Sequence, residues 1–221
     1  MSHELPRYKD FLTIQKKLEE KSQVQVFEIG GTYLQGYINK IFTRDIDIVI
    51  VIKSSVSNIG EKIEPILGEL DYKRGSTTTE NYVRFENRNG LKLDVFFNKV
   101  FMFTITPSML SRVKNKKLTP EDVFLLKAQS TRGLDKDFSD LKNIISLISK
   151  GKFNYQIILE ELGFQLENHI PLTPQNINRL LKILEAIEQL NEIYPDEVPY
   201  LFLNEIERIY SIHGIFEKEL E

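Results

Sequence analysis

Three aspartates and a pair of glycines are the residues whose types and spacing can do chemistry in this sequence. Asp45 and Asp47 flank Ile46 at the head of the run Asp-Ile-Asp-Ile-Val-Ile-Val-Ile, which ends at Ile52. Side chains two apart on a strand share a face, so these carboxylates can hold one divalent cation or a pair of them. Gly30-Gly31 stands upstream with thirteen residues between it and Asp45, at the close of the short run Val24 to Ile29. Glycine at a strand-to-helix turn permits close backbone approach, and the exposed N–H groups of a helix start can take a phosphate. A phosphate cradle beside an acidic pair needs a cation between them. Asp94 sits alone in the apolar stretch Leu91-Lys-Leu-Asp-Val-Phe. Buried without a partner it would be costly, so it is expected to face the same site. The plainer alternatives are the wet end of a strand for Asp45 and Asp47, a simple tight turn for the glycines, and an ion pair to Lys92 or Arg84 for Asp94.

The elements that must position these residues follow from periodicity. Leu5 to Lys21 has helical spacing of Leu5, Tyr8, Phe11, Leu12 and Leu18. Val24 to Ile29, the glycine pair and about two helical turns from Thr32 form a strand, turn and helix. Asp45 to Ile52 reads as a central strand, and Ser55 to Leu70 as a helix. Asn81 to Glu86 and Leu91 to Phe97 flank the turn Asn87-Arg-Asn-Gly90 and read as a hairpin. Thr119-Pro-Glu-Asp opens a helix reaching about Ser130, with Pro at its first position and acids in its first turn. Further helices are expected at Asp135 to Ser149, Tyr155 to Leu162, Pro174 to Ile193 and Glu197 to His213. The expected fold is α+β: residues 1–118 form a mixed-sheet core with flanking helices, and residues 119–221 a C-terminal helical module.

Composition narrows the chemistry. The 221 residues include no cysteine, which removes disulfides, thiolate zinc sites and cysteine nucleophiles. The three histidines, His3, His169 and His213, are far apart, so a metal site should be built from carboxylates, which suits Mg²⁺. A net charge of −3 argues against a protein that coats nucleic acid through a large positive field. No apolar run is long enough to span a bilayer and no signal peptide is visible, so a soluble, cytoplasmic protein without membrane partners is expected.

The glycine pair, Asp45-Ile46-Asp47 and Asp94 together resemble the signature of the nucleotidyltransferase superfamily of the polymerase-beta type. The Gly-Gly form with Thr43-Arg44-Asp45-Ile46-Asp47 looks most like a small prokaryotic branch related to the toxin-type nucleotidyltransferases of abortive infection systems. In that branch a downstream pattern is matched by Pro120-Glu121-Asp122, Lys127, Arg132, Lys136-Asp137 and Asp140. The resemblance covers roughly Val24 to Ile148. It implies two Mg²⁺ ions and transfer of a nucleoside monophosphate from a nucleoside triphosphate to a hydroxyl on RNA, a protein or a small molecule. It also implies that Asp45 and Asp47 hold the metals on the triphosphate, while Asp94 ligates the metal at the acceptor and helps deprotonate its hydroxyl. Gly30, Gly31 and the Thr32 hydroxyl would donate to phosphate, with Lys127 and Arg44 as basic partners. A solvated lysine is the ordinary alternative at Lys127, and a capping and ion-pair network is the expected role of Arg132, Asp135, Lys136, Asp137 and Asp140.

Weaker signals complete the reading. Lys114-Asn-Lys116-Lys117 reads as a solvated loop in preference to an RNA contact. Arg208-Ile-Tyr-Ser-Ile-His213 looks like the Arg-x4-His pattern of a helical ribonuclease family, but Ile209 stands where a polar residue is usual, and a basic helix end explains it as well. The competing function is a catalytically silent module of the same fold that binds nucleotide or a protein partner of the toxin–antitoxin kind. The stripe of Leu180, Leu184 and Ile187 suits either a homodimer or an internal core.

Overall fold

The computed structural model describes residues 6–38, 43, 45–52, 59–130, 135–147, 153–196 and 198–217. Their contacts divide into two compact units. The first contains the described residues up to Val100 together with Val113–Leu118, and the second contains Phe101–Arg112 and the described residues from Thr119 onward.

In the first unit the chain runs α1 (Pro6–Ser22), β1 (Val24–Ile29), α2 (Gly30–Gln35), β2 (Asp45–Ile52), α3 (Ile59–Gly68), β3 (Tyr72–Thr79), β4 (Tyr82–Asn87), β5 (Lys92–Phe97) and the short β6 (Lys99–Val100). Five of these strands form a mixed sheet in the order β1-β2-β5-β4-β3. β2 and β5 pair in parallel at its centre, and the other three pairings are antiparallel. Alternation along β2 sorts its residues between the faces: Ile46, Ile48 and Ile50 join Leu93, Val95 and Phe97 of β5 in a core closed by Phe11, Ile14 and Leu18 of α1 and Ile63 and Leu67 of α3. Asp45 and Asp47 therefore emerge on the opposite face, as the period-two pattern requires.

The α+β class and the helix-flanked mixed sheet agree with the sequence reading. One strand of the five-stranded sheet is additional. β3, Tyr-Lys-Arg-Gly-Ser-Thr-Thr-Thr, has no apolar alternation because it is an edge strand with a register shift between Arg74 and Thr78. Polar side chains and a bulge are ordinary at an edge, where they discourage pairing with a further chain. Leu5, Ser55 and the rest of the expected start of α3 lie outside the described residues.

The second unit holds the short strand β7 (Phe103–Thr104) and helices α4 (Pro107–Ser111), α5 (Pro120–Ala128), α6 (Asp135–Ser146), α7 (Tyr155–Asn168), α8 (Pro174–Ile193) and α9 (Tyr200–Ile212). Three of these helices start alike. Thr106, Thr119 and Thr173 each cap a helix that has Pro in its first turn, their hydroxyls accepting from Met109, Asp122 and Asn176 N–H. α7 runs on past Leu162 because a Cβ at Gly163 would meet open space, so that glycine costs the helix only its propensity. Polar groups are buried in a connected set. Arg112 bridges Asp122 and Glu161, and Glu161 also accepts from Thr106 and Gln165. Burial raises the Asp122 carboxyl pKa, against the hydrogen bonds of Arg112 and Thr119.

Candidate active site

The sheet register assembles the site. Ile29 pairs with Asp47, Asp47 with Asp94, and Asp94 with Arg84, so one row crosses β1, β2, β5 and β4. Residues directly opposite in a ladder share a face. Asp45 lies two residues before Asp47 on that face, and Tyr82 two before Arg84. Asp45 and Asp47 are half-buried, whereas Asp94 is buried.

Close packing fixes the turn beside the row. Gly30 opens α2 with φ +60°, a left-handed conformation that side chains disfavour. A Cβ there would stand 2.7 Å from Asp47 Oδ2, so the glycine also makes the space in which that carboxylate sits. At Gly31 the obstacle would be Thr43 Oγ1, again at 2.7 Å. Thr32 is fully buried, and its hydroxyl accepts from Asp47 N–H at 3.2 Å and reaches Asp45 O at 3.5 Å. Thr43 donates to the same carbonyl at 3.0 Å. The Thr32 hydroxyl thus faces the backbone of β2 and links α2 to the acidic strand.

Asp94 is already engaged. Arg84 Nε and Nη2 donate to its two oxygens at 2.6 and 2.8 Å, and the Tyr82 hydroxyl donates to Oδ1 at 2.8 Å. The Arg84 pairing is the alternative raised by the sequence, with Arg84 and not Lys92 as the partner. The Asp94 hydrogen bond holds the guanidinium pKa well above its ordinary value, against burial, and Asp45 acts in the same direction. Burial, followed by the Asp94 hydrogen bond, pushes the Tyr82 hydroxyl up to about 12. Arg84 is the site residue that sequence inspection underrated; a basic residue ten positions before an isolated strand acid, across a hairpin turn, was the signal.

These observations test the fit of a divalent cation. Asp45 and Asp47 supply hard oxygen donors on one face, which suits Mg²⁺. Among the described residues no three acidic or imidazole side chains converge to hold an ion. Asp94 has the register for the third position, but its oxygens are turned to Arg84 and Tyr82. The donor types therefore suit a cation at Asp45 and Asp47, and at Asp94 once the Arg84 contact is released.

Lys127 forms ion pairs with Asp140 at 3.4 Å and Asp137 at 3.7 Å inside the helical unit, with both acids buried. Arg44 and Arg132 lie outside the described residues. Lys116 pairs with Glu19 at 2.6 Å. Lys117 sits 2.9 Å from buried Glu28, without hydrogen-bond alignment, and over the rings of Tyr37, Tyr8 and Tyr33 at 4.2, 5.0 and 5.9 Å. These two lysines tie Val113–Leu118 to α1, β1 and α2, so the basic run is partly structural. Arg208 pairs with Glu205 one turn earlier on α9.

The family model "Nucleotidyl transferase of unknown function (DUF2204)" matches residues 7–186. No curated protein matches the sequence. Among solved structures, an antigenic nucleotidyltransferase-like protein from Paracoccidioides brasiliensis is 17% identical, with 90% of this chain and 93% of that one covered and a TM-score of 0.46. The lincosamide antibiotic adenylyltransferase LnuA, lincomycin-bound, is 14% identical over 65% of this chain and 98% of its own, with a TM-score of 0.43. The Cid1 poly(U) polymerase with Mg and 3′-dATP is 14% identical over 54% of this chain and 39% of its own, with a TM-score of 0.35. With a family model spanning most of its length and the acidic row beside the glycine turn, the chain belongs to this nucleotidyltransferase family.

Proposed function

We propose that this nucleotidyltransferase is Mg²⁺-dependent and moves a nucleoside monophosphate from a nucleoside triphosphate to a hydroxyl of RNA, a protein or a small molecule. The observation that carries this reading is the row Asp47–Asp94 with Asp45 beside it, set against the left-handed Gly30 turn. Asp45 and Asp47 would hold the cation and its triphosphate, with Asp94 as the third ligand on the acceptor side. The metal supplies charge stabilisation for the entering and leaving oxygens of an in-line displacement. In that displacement the acceptor oxygen bonds to the α-phosphorus, the bond from the α-phosphorus to the bridging oxygen breaks, and pyrophosphate departs. Asp94 accepts the hydroxyl proton. Gly30 and Gly31 bring first-turn amides, which have no acceptor within a helix, toward the phosphates. Thr32 and Thr43 position the acidic strand through their contacts with its backbone.

Incubation with labelled triphosphates, Mg²⁺ and acceptors of the three kinds tests the proposal. Transfer or self-labelling that Asp47→Ala and Asp94→Ala abolish is the expected result. Equal labelling by these variants and wild type would overturn it. The Arg84–Asp94 pair favours one second reading, a silent module that binds nucleotide without reacting, because the third carboxylate is occupied. Triphosphate binding that persists in EDTA, with no transfer by wild type or Arg84→Gln, would select that reading.

A further inference from the structure

The helical unit contains a cavity of about 350 Å³ lined by Phe101, Ser130, Gln175, Asn178, Arg179 and Lys182, with Gln129 at its wall. Among the described residues no carboxylate lines it. Gln175 and Asn178, like Arg179 and Lys182, are three residues apart, and Gln175 and Arg179, like Asn178 and Lys182, four apart, so one face of α8 presents two cations and two amides. Arg179 stacks on the Phe101 ring at 4.3 Å. Among the described residues neither Arg179 nor Lys182 has an ion-pair partner. The guanidinium is half-buried, and burial alone lowers its pKa. A half-buried cation with no counter-ion, facing an acid-free cavity, calls for an anion.

The ring beneath the guanidinium is held in an unfavourable backbone conformation. Phe101 has φ +50°, sparsely populated for a bulky residue, and strain of this kind gathers at functional sites. The Gln129 carboxamide secures the neighbouring backbone by accepting from Met102 N–H at 3.2 Å and donating to Leu126 O at 3.1 Å. The Phe101 ring remains substantially exposed, at 43%. It supports the plane of Arg179, leaving the donor edges of that side chain for a ligand.

We propose that this cavity binds a phosphate group, with Arg179 as the forked donor, Lys182 as the second charge, and the Gln175 and Asn178 amides as neutral donors. The phosphate has two possible sources, free pyrophosphate or the backbone of a single-stranded polynucleotide. Neither source depends on the catalytic reading of Asp45, Asp47 and Asp94.

The test uses the full chain without triphosphate or added metal. A fluorescein-labelled single-stranded oligoribonucleotide is titrated by anisotropy over a salt series, with pyrophosphate as competitor. Wild type should bind, and Arg179→Gln should lose roughly tenfold in affinity, the equivalent of one charge-assisted hydrogen bond. Arg179→Gln combined with Lys182→Gln should flatten the dependence of log K on log salt by about 1.4, as expected for two single-strand phosphate contacts. Displacement by pyrophosphate assigns the site to the free anion, and binding that pyrophosphate does not displace assigns it to the polynucleotide. If the oligonucleotide fails to bind, direct calorimetry with pyrophosphate, repeated on the variants, decides the free-anion case. Lys182 is exposed, so Lys182→Gln alone keeps the test sound should the Arg179 variants misfold. Wild type binding neither probe, or variants that bind as wild type does, would overturn the proposal.

Discussion

Replacing Arg84 with Gln separates a structural ion pair from a contact that competes with the metal. The Arg84 side chain is 35% exposed and that of Asp94 11%. Exposed pairs contribute roughly 0.2–1 kcal/mol. Removing one partner of a buried pair costs roughly 3–5 kcal/mol, so this intermediate pair should cost about 2 kcal/mol. That loss would be read by urea denaturation in EDTA. The effect on cation binding has the opposite sign. To accept a cation, Asp94 must give up two charge-assisted hydrogen bonds from Arg84, each contributing roughly 1.5–3 kcal/mol. Releasing even one in advance should tighten Mn²⁺ binding roughly tenfold, measured by paramagnetic resonance of the free ion. Loss of a nearby positive charge would also help a cation bound only at Asp45 and Asp47. Arg84→Gln combined with Asp94→Asn distinguishes the two: the gain vanishes if Asp94 is a ligand. A folded Arg84→Gln protein that binds Mn²⁺ no more tightly than wild type, or a gain that survives Asp94→Asn, refutes the reasoning.

Other perturbations probe the supports of the site. Gly30→Ala should cost about 1–2 kcal/mol through its left-handed backbone and also displace the Asp47 carboxylate, weakening Mn²⁺ binding. Gly31→Ala should press on Thr43 instead, so calorimetric Mn²⁺ binding by the two variants should differ. Lys117→Met leaves buried Glu28 unpaired and should cost roughly 3–5 kcal/mol in urea denaturation, with Glu28→Gln in the same chain recovering much of it. Because the folded pKa of Tyr82 lies above its unfolded value of 10.0, the linked stability is full below pH 10 and declines as pH rises through about 12. An ultraviolet tyrosinate titration should lose its component near 12 in Tyr82→Phe, and Asp94→Asn should move that component downward, though not fully, because burial remains the larger cause.

The legible parts of the fold were those where one residue carries two signals. In β2 the alternation of Asp and Ile marks both a strand and the side of it that faces away from the core. Thr119 and Thr173, each followed by Pro, mark helix starts because cap and fixed φ coincide. β3 was hidden for the converse reason: an edge strand with a bulge has its hydrogen bonds on one side only and little apolar surface to advertise them.

Asp94 shows where local reading stops. Its isolation among apolar residues signalled that it needs a partner, but a cation and Arg84 satisfy that need equally well in sequence terms. The choice is made by the β4–β5 register, which sets Arg84 directly opposite Asp94 and places Tyr82 two residues along. A slip of one residue would turn both side chains to the core face and leave Asp94 open. The same hairpin that completes the sheet therefore delivers a resident counter-charge to the third carboxylate. On the other side of β2, the antiparallel strand β1 places Ile29 opposite Asp47. On the proposed reading, a cation's hold on Asp94 therefore depends on how readily Arg84 gives way.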